Sequence, residues 1–236
     1  MRSLSRTASC LLALVLVAGC ASTEVSNRER YEGPALARPD RIIIYDFTAD
    51  FTQVPAGSAF AAQMAEAPPL TPEQAELSRK LGAEVAKELV ADLQGMGLPA
   101  VAAAGQPAPA VNDIVIRGYF VSINEGSASE RVMVGFGAGA AELSTAAEGY
   151  VMTPQGLRPL GRGEIKSGGG ELPGMVLPIA VVAATANPIG LVVGGAIKAT
   201  GEATGSATIE SAAKRTAAAI AGQLREAAQK QGWITT

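Results

Sequence analysis

Residues 113–124 read DIVIRGYFVSIN, apolar at nearly every position except Arg117. A run of that length and composition is a strand with both faces under cover. Upstream, residues 41–47 (RIIIYDF) give a second strong strand, and three consecutive isoleucines place it centrally in a sheet. Between the two lies a helix. Thr71 caps it, Pro72 fits its first turn, and Gln74 completes a capping box. Leu77, Leu81, Val85, Leu89 and Leu93 form its buried stripe, and Gly95 and Gly97 end it. Residues 48–70 read mainly as loop, with Phe51, Phe60 and Met64 packing a short turn.

Residues 98–101 predict a short strand and 102–112 a loop. After a polar turn at 125–130, residues 141–153 alternate as a strand, Pro154-Gln155-Gly156 turns the chain, and 157–166 return. Residues 208–231 make a closing helix. Ile209, Ala213, Ala217, Ile220 and Leu224 lie on its apolar face, and Gly232 with Trp233-Ile234 forms its C-terminal cap. Strands and helices partly segregate along the chain. The expected fold is α+β: a mixed, mostly antiparallel sheet with two main helices packed on one face.

The chain has 236 residues, a formal charge of −3 and no histidine. Lacking histidine, it lacks the commonest general base, metal ligand and pH switch. Mild acidity without a Lys/Arg run argues against a nucleic-acid partner. Aromatics are few and Ala and Gly abundant, so the core is built of small aliphatics.

No catalytic constellation stands out. There is no Gly-x-Ser-x-Gly. Ser211 and Lys214 match a Ser-x-x-Lys spacing, which arises easily in an Ala-rich helix, and Lys214 reads as a solvated charge. Asp46, Asp50, Glu125, Glu130, Glu142 and Glu148 are scattered, with Glu142 and Glu148 expected on the wet face of a strand. No calcium-loop pattern occurs. Neither a catalytic residue, a cofactor nor a metal is therefore expected. Arg117, inside an apolar strand, reads as a salt-bridged or surface arginine, or as a reader of an anionic ligand.

The run Arg131-Val-Met-Val-Gly135-Phe136-Gly137-Ala-Gly139-Ala-Ala141-Glu-Leu143 is the most distinctive internal feature. Ala140 and Glu142 break the dinucleotide fingerprint, and no Gly-Lys-Ser/Thr follows. A bulge or tight bend is the physical expectation. Here the chain resembles a family of uncharacterised bacterial envelope lipoproteins, a domain of unknown function marked by an Arg…Gly-Phe-Gly-Ala-Gly run. Ala141 departs from the serine often found there. The resemblance implies no catalytic residue.

Residues 172–197 carry no charge, but Pro173, Pro178 and Asn187-Pro188 interrupt them. They are expected to form a small-residue segment, spanning 172–200, packed on the domain or on a neighbour, with bilayer insertion as the alternative.

The N-terminus gives an address. Arg2 and Arg6 precede an apolar run at 10–17 and Val17-Ala18-Gly19-Cys20. These are the marks of a secretory signal. Cys20 directly after Ala18-Gly19 resembles the lipobox of bacterial lipoproteins. That resemblance implies cleavage before Cys20 and acylation of Cys20, the one site residue expected. Residues 1–19 are then the signal peptide, and 20–40 a lipidated flexible tether reaching roughly 25 Å. Residues 41–236 are a single α+β domain. Arg2 and Arg6 leave with the signal, taking the charge from −3 to −5. By the same lipoprotein resemblance, Ala21, where an Asp would retain the protein at the inner membrane, implies the outer membrane, periplasmic face.

The expected activity is binding or assembly in the cell envelope, not catalysis, with the membrane as partner through Cys20 and an envelope protein or a second copy as a further partner. The alternative is an oligomerising accessory or channel-like subunit, similar in outline to lipoprotein subunits of secretion channels.

Overall fold

The computed structural model describes residues 22–55, 57–61, 69–125, 141–168 and 208–235. Within them one sheet holds β1 (Thr23–Glu29), β2 (Ile42–Ile44), β3 (Ala100–Ala102), β4 (Ile114–Asn124), β5 (Glu142–Thr153) and β6 (Gly156–Gly168). Their spatial order is β1-β6-β5-β4-β2-β3. β2 runs parallel to β3 and β4, and the other pairings are antiparallel. Helices α1 (Pro72–Gly95) and α2 (Ile209–Lys230) share one core with one face of that sheet. The mixed, mostly antiparallel α+β reading holds.

Local chemistry explains the elements. The isoleucines of β2 are almost wholly buried, with Ile42 and Ile44 in the helix-side core. At the start of α1 the Thr71 N–H donates to Gln74 Oε1 (2.8 Å) and the Gln74 N–H to Thr71 Oγ1 (3.3 Å). Leu81, Val85, Leu89 and Leu93 form the buried stripe. At its end Gly97 takes φ +77°, and the Leu98 N–H reaches back to the Leu93 carbonyl at 3.0 Å. α2 closes the same way, with Gly232 at φ +72° and the Trp233 N–H on the Ala228 carbonyl (2.9 Å).

Beyond Ile44 the chain keeps following β4. The Tyr45 N–H donates to the Ile116 carbonyl (3.1 Å) and the Phe120 N–H to that of Thr48 (2.8 Å). This turns Phe47 into the helix-side core, 1% exposed, its ring against Gly118 and its N–H on the Gly82 carbonyl of α1. A Cβ at either glycine would overlap Phe47. The close approach of α1 to the sheet therefore depends on both.

The loop after β2 crosses the other face. A 3-10 turn at Phe51–Gln53 is capped by Asp50, and Phe60 packs with Tyr119, Val121 and Ala146. Met64 lies outside the described residues.

One expectation is corrected. Residues 23–29 sit inside the stretch read as flexible tether, yet they form β1, paired with β6. TEVSNRE carries one apolar side chain and no period, so its pattern is that of coil. Its order comes from the ladder to β6 and from long-range polar contacts: Asn27 to Glu164 (2.6 Å), Arg28 to Glu226 (2.9 Å) and Glu29 to Arg162. Polar edge strands with a bulge, here between Ser26 and Glu29, discourage further pairing.

The signal, Cys20, residues 126–140 and residues 172–200 lie outside the described residues. Among the described residues no helix is long and apolar enough to cross a membrane.

Candidate functional site

Two places concentrate chemistry, one on each face of the sheet. On the helix side, small residues stand where isoleucines stand elsewhere. Ala147 pairs with Gly163, and Gly149 with Gly161, across β5 and β6. Above them the second half of α2 spans an apolar cavity of about 200 Å³. Ile114 and Ile116 of β4, Ile220 and Leu224 of α2, Val25 of β1 and Trp233 complete its walls. Residues 31–36 pass over it. The Leu36 N–H donates to Gln231 Oε1 at 2.7 Å, and Trp233 Nε1 donates to the Leu36 carbonyl at 3.1 Å.

Charges line its rim. Arg28 and Arg30 both reach Glu226, at 2.9 and 3.1 Å. The hydrogen bond from Arg28 holds the Glu226 carboxyl below the usual carboxylate range. Gln223 lines the wall with its side-chain carbonyl oxygen buried and without a donor among the described residues.

On the other face, register places Arg117 opposite Glu148, Glu148 opposite Arg162, and Arg162 opposite Glu29. This is a row of alternating charge across four neighbouring strands. Cross-strand pairs of opposite sign stabilise a sheet by a few tenths to about 1 kcal/mol each. Arg117 lies over the Tyr45 ring at 4.1 Å from its centroid, a cation–π contact.

Glu148, expected on a wet face, is 5% exposed. The crossing loop buries it: the Ala59 N–H and the Tyr150 O–H donate to its two oxygens at 3.1 and 2.6 Å. With both oxygens engaged, Glu148 pins the loop to the sheet.

Tyr119 beside it is buried, and its hydroxyl has no partner among the described residues. Burial, and then the Glu148 charge, push its pKa up to about 12. Tyr150 is raised as well, by burial and then by its bond to Glu148. A tyrosine whose folded pKa is raised stabilises the fold below pH 10, and that contribution is lost as pH climbs from 10 through 12. For Tyr119 the loss amounts to about 2 kcal/mol. Tyr119→Phe should leave stability at pH 7 nearly unchanged and flatten the alkaline decline, as read by urea melts across that range. An unchanged slope would show that Tyr119 releases its proton in the fold at the same pH as in the unfolded chain.

The residues singled out from sequence scatter. Cys20 and most of the glycine-rich run lie outside the described residues. Of that run, Ala141 and Leu143 are core and Glu142 pairs with Lys166 at 3.2 Å. Lys214 reaches Glu88 and Glu84 of α1 at 3.6 and 3.9 Å. Among the described residues no group of three acidic side chains could hold a metal ion. Sequence reasoning missed the cavity; its one available signal was glycine inside strands at 149, 161 and 163.

Comparison with curated proteins gives no match. Among solved structures, the PelC dodecamer from Paraburkholderia phytofirmans is 15% identical over 69% of this chain and 89% of its own, with a TM-score of 0.37. A single-residue variant of that dodecamer gives 15% identity, 69% and 88% coverage, and a TM-score of 0.36. A family model described as a domain of unknown function, DUF4410, matches residues 42–186. That span includes β2 to β6, α1 and the Arg131…Gly139 run that carried the resemblance to a domain of unknown function, and it is more than half of the chain. The chain belongs to the DUF4410 family.

Proposed function

We propose that the protein is an outer-membrane-anchored periplasmic lipoprotein that works by binding or assembly at the cell envelope rather than by catalysis. The observation that carries the reading is Val17-Ala18-Gly19-Cys20 behind Arg2, Arg6 and an apolar run at 10–17. Several acyl chains on Cys20, each contributing about 0.8 kcal/mol per buried CH₂, give a stable anchor where one chain is marginal.

The fold supports a specific version of this reading. β1 begins at Thr23, and the Ser22 carbonyl already accepts from the Gly168 N–H at 3.0 Å. Two residues separate Cys20 from that sheet edge, a reach of less than about 11 Å. An anchor at Cys20 then holds the β1 edge against the headgroups instead of floating the domain on a long leash. Confinement of that kind raises the domain's effective concentration toward membrane partners.

Envelope fractionation tests it. The native chain is expected in the outer-membrane fraction with incorporated palmitate. Cys20→Ser is expected in the soluble periplasmic fraction without label. Membrane retention and labelling undiminished in Cys20→Ser would refute the anchor.

A further inference from the structure

The small residues under α2 are not demanded by the packing of this chain. A Cβ at Gly163 would meet only Val25 Cγ1 at 3.9 Å and the Ser26 carbonyl at 4.0 Å. One at Gly149 would meet Ile116 Cδ1 at 3.5 Å. Both are ordinary van der Waals contacts, and neither residue has a positive φ. Glycine inside a strand weakens the strand and marks a bulge or a close approach. Register shifts adjoin both positions, after Gly149 between β5 and β6 and opposite Gly163 between β1 and β6, yet neither the backbone angle nor a contact there requires glycine. Gly161 differs, because there the Glu29 carbonyl would lie 2.6 Å from a Cβ. Two positions that could carry a side chain thus leave open a cavity walled by Ile114, Ile116, Ile220, Leu224 and Trp233.

The rim sets the rest of the ligand. Arg28, Arg30 and Lys230 stand there against Glu226, a cationic excess on a chain of net negative charge. The buried Gln223 amide has no partner for its oxygen among the described residues, and a half-turn of its last torsion presents its NH₂ to an acceptor. A volume of about 200 Å³ is below that of pockets for drug-sized ligands, and suits a short chain or the end of a longer one.

We propose that this cavity binds the aliphatic chain of a small anionic amphiphile, its head held at the Arg28–Lys230 rim. The proposal rests on the binding reading above, to which it gives a ligand class, and not on the anchor. The chain and the head each have a place: apolar walls exclude water from the first, and the cations compensate the second.

Trp233 is the only tryptophan of the chain and lines the cavity, so its emission reports occupancy. The full chain carrying Cys20→Ser, whose behaviour is independent of acylation, is titrated with octanoate, 1-octanol and octylammonium. Octanoate is expected to shift the emission saturably and to bind about tenfold more tightly than 1-octanol, with octylammonium weaker still. Gly163→Leu fills the space and should weaken octanoate by more than about tenfold while the protein still melts cooperatively. Gly149→Leu serves the same purpose should the first variant fail to fold. Lys230→Glu should weaken octanoate and leave 1-octanol unchanged.

No saturable shift with octanoate overturns the proposal. So do equal affinities for the three head groups, or octanoate binding that survives filling in a folded variant. Phosphatidylglycerol vesicles that displace octanoate, where phosphatidylcholine vesicles do not, place the source in the bilayer. Octanoate binding untouched by either vesicle places it in the free pool, and both results uphold the anionic amphiphile. A lost shift in this soluble form alongside normal palmitate labelling of the native chain rejects the ligand and spares the anchor.

Discussion

Gly118→Ala is expected to destabilise the domain by about 3 kcal/mol, the upper end of what overpacking costs. The added methyl would overlap the Phe47 ring. That ring has nowhere to go: it is 1% exposed, its backbone N–H is bonded to α1 at Gly82, and Phe120 stands with its centroid 6.2 Å away. A domain holding 5–15 kcal/mol in all would show such a change as a large drop in urea midpoint with an unchanged slope. The mechanism has a signature. Phe47→Ala alone makes a cavity and destabilises. In the double variant the shorter side chain makes room for the methyl, so the two losses should sum to more than the double variant shows, by about 1 kcal/mol or more. Additive losses would mean that the ring is not what the methyl meets. Gly82→Ala offers the contrast, because its methyl overlaps the Phe47 carbonyl oxygen. Backbone cannot be trimmed, so Phe47→Ala should give no relief there.

Neither glycine announces this role in the sequence, although the elements around them do. β4, α1 and α2 were legible because their signals are local: continuous apolar residues, an i, i+4 leucine stripe, a Thr-x-x-Gln cap. The β5–β6 hairpin was legible from Pro154-Gln155-Gly156, where Gly156 takes φ +109°. β1 was not, because Val25 is its only apolar residue and its partners lie more than a hundred residues away. Glu148 was misplaced for the same reason. Alternation correctly put it on the face opposite Ala147, but the loop that buries that face is 89 residues upstream at Ala59. The cavity fails to show at all until register sets Gly149 beside Gly161 and Ala147 beside Gly163. Local pattern speaks for elements; burial of a polar group, or a missing side chain in a core, is decided by what comes back from far along the chain.

Arg41→Met is expected to cost about 3 kcal/mol, the loss typical of removing one member of a buried ion pair. Arg41 and Asp113 each sit one residue before a strand, and those strands run parallel with Ile42 opposite Ile114. Asp113 is 1% exposed and pairs with the Arg41 guanidinium. It otherwise accepts from the Ala110 N–H at 2.8 Å. The Ile114 N–H on the Arg41 carbonyl (3.0 Å) and the Met152 N–H on the Asp113 carbonyl (2.9 Å) tie the same corner to β2 and β5. Taking away the guanidinium strands a buried carboxylate with one backbone donor, and its desolvation is then uncompensated. Arg41→Met combined with Asp113→Leu removes the charge as well as the partner. Such apolar replacements of buried pairs are often neutral or stabilising, so the double variant should recover most of the loss. Urea melts of the three variants at neutral pH decide it. A double variant no more stable than Arg41→Met would show that the Asp113 carboxylate holds the corner through its bond to Ala110, and that the stranded charge is not the source of the cost.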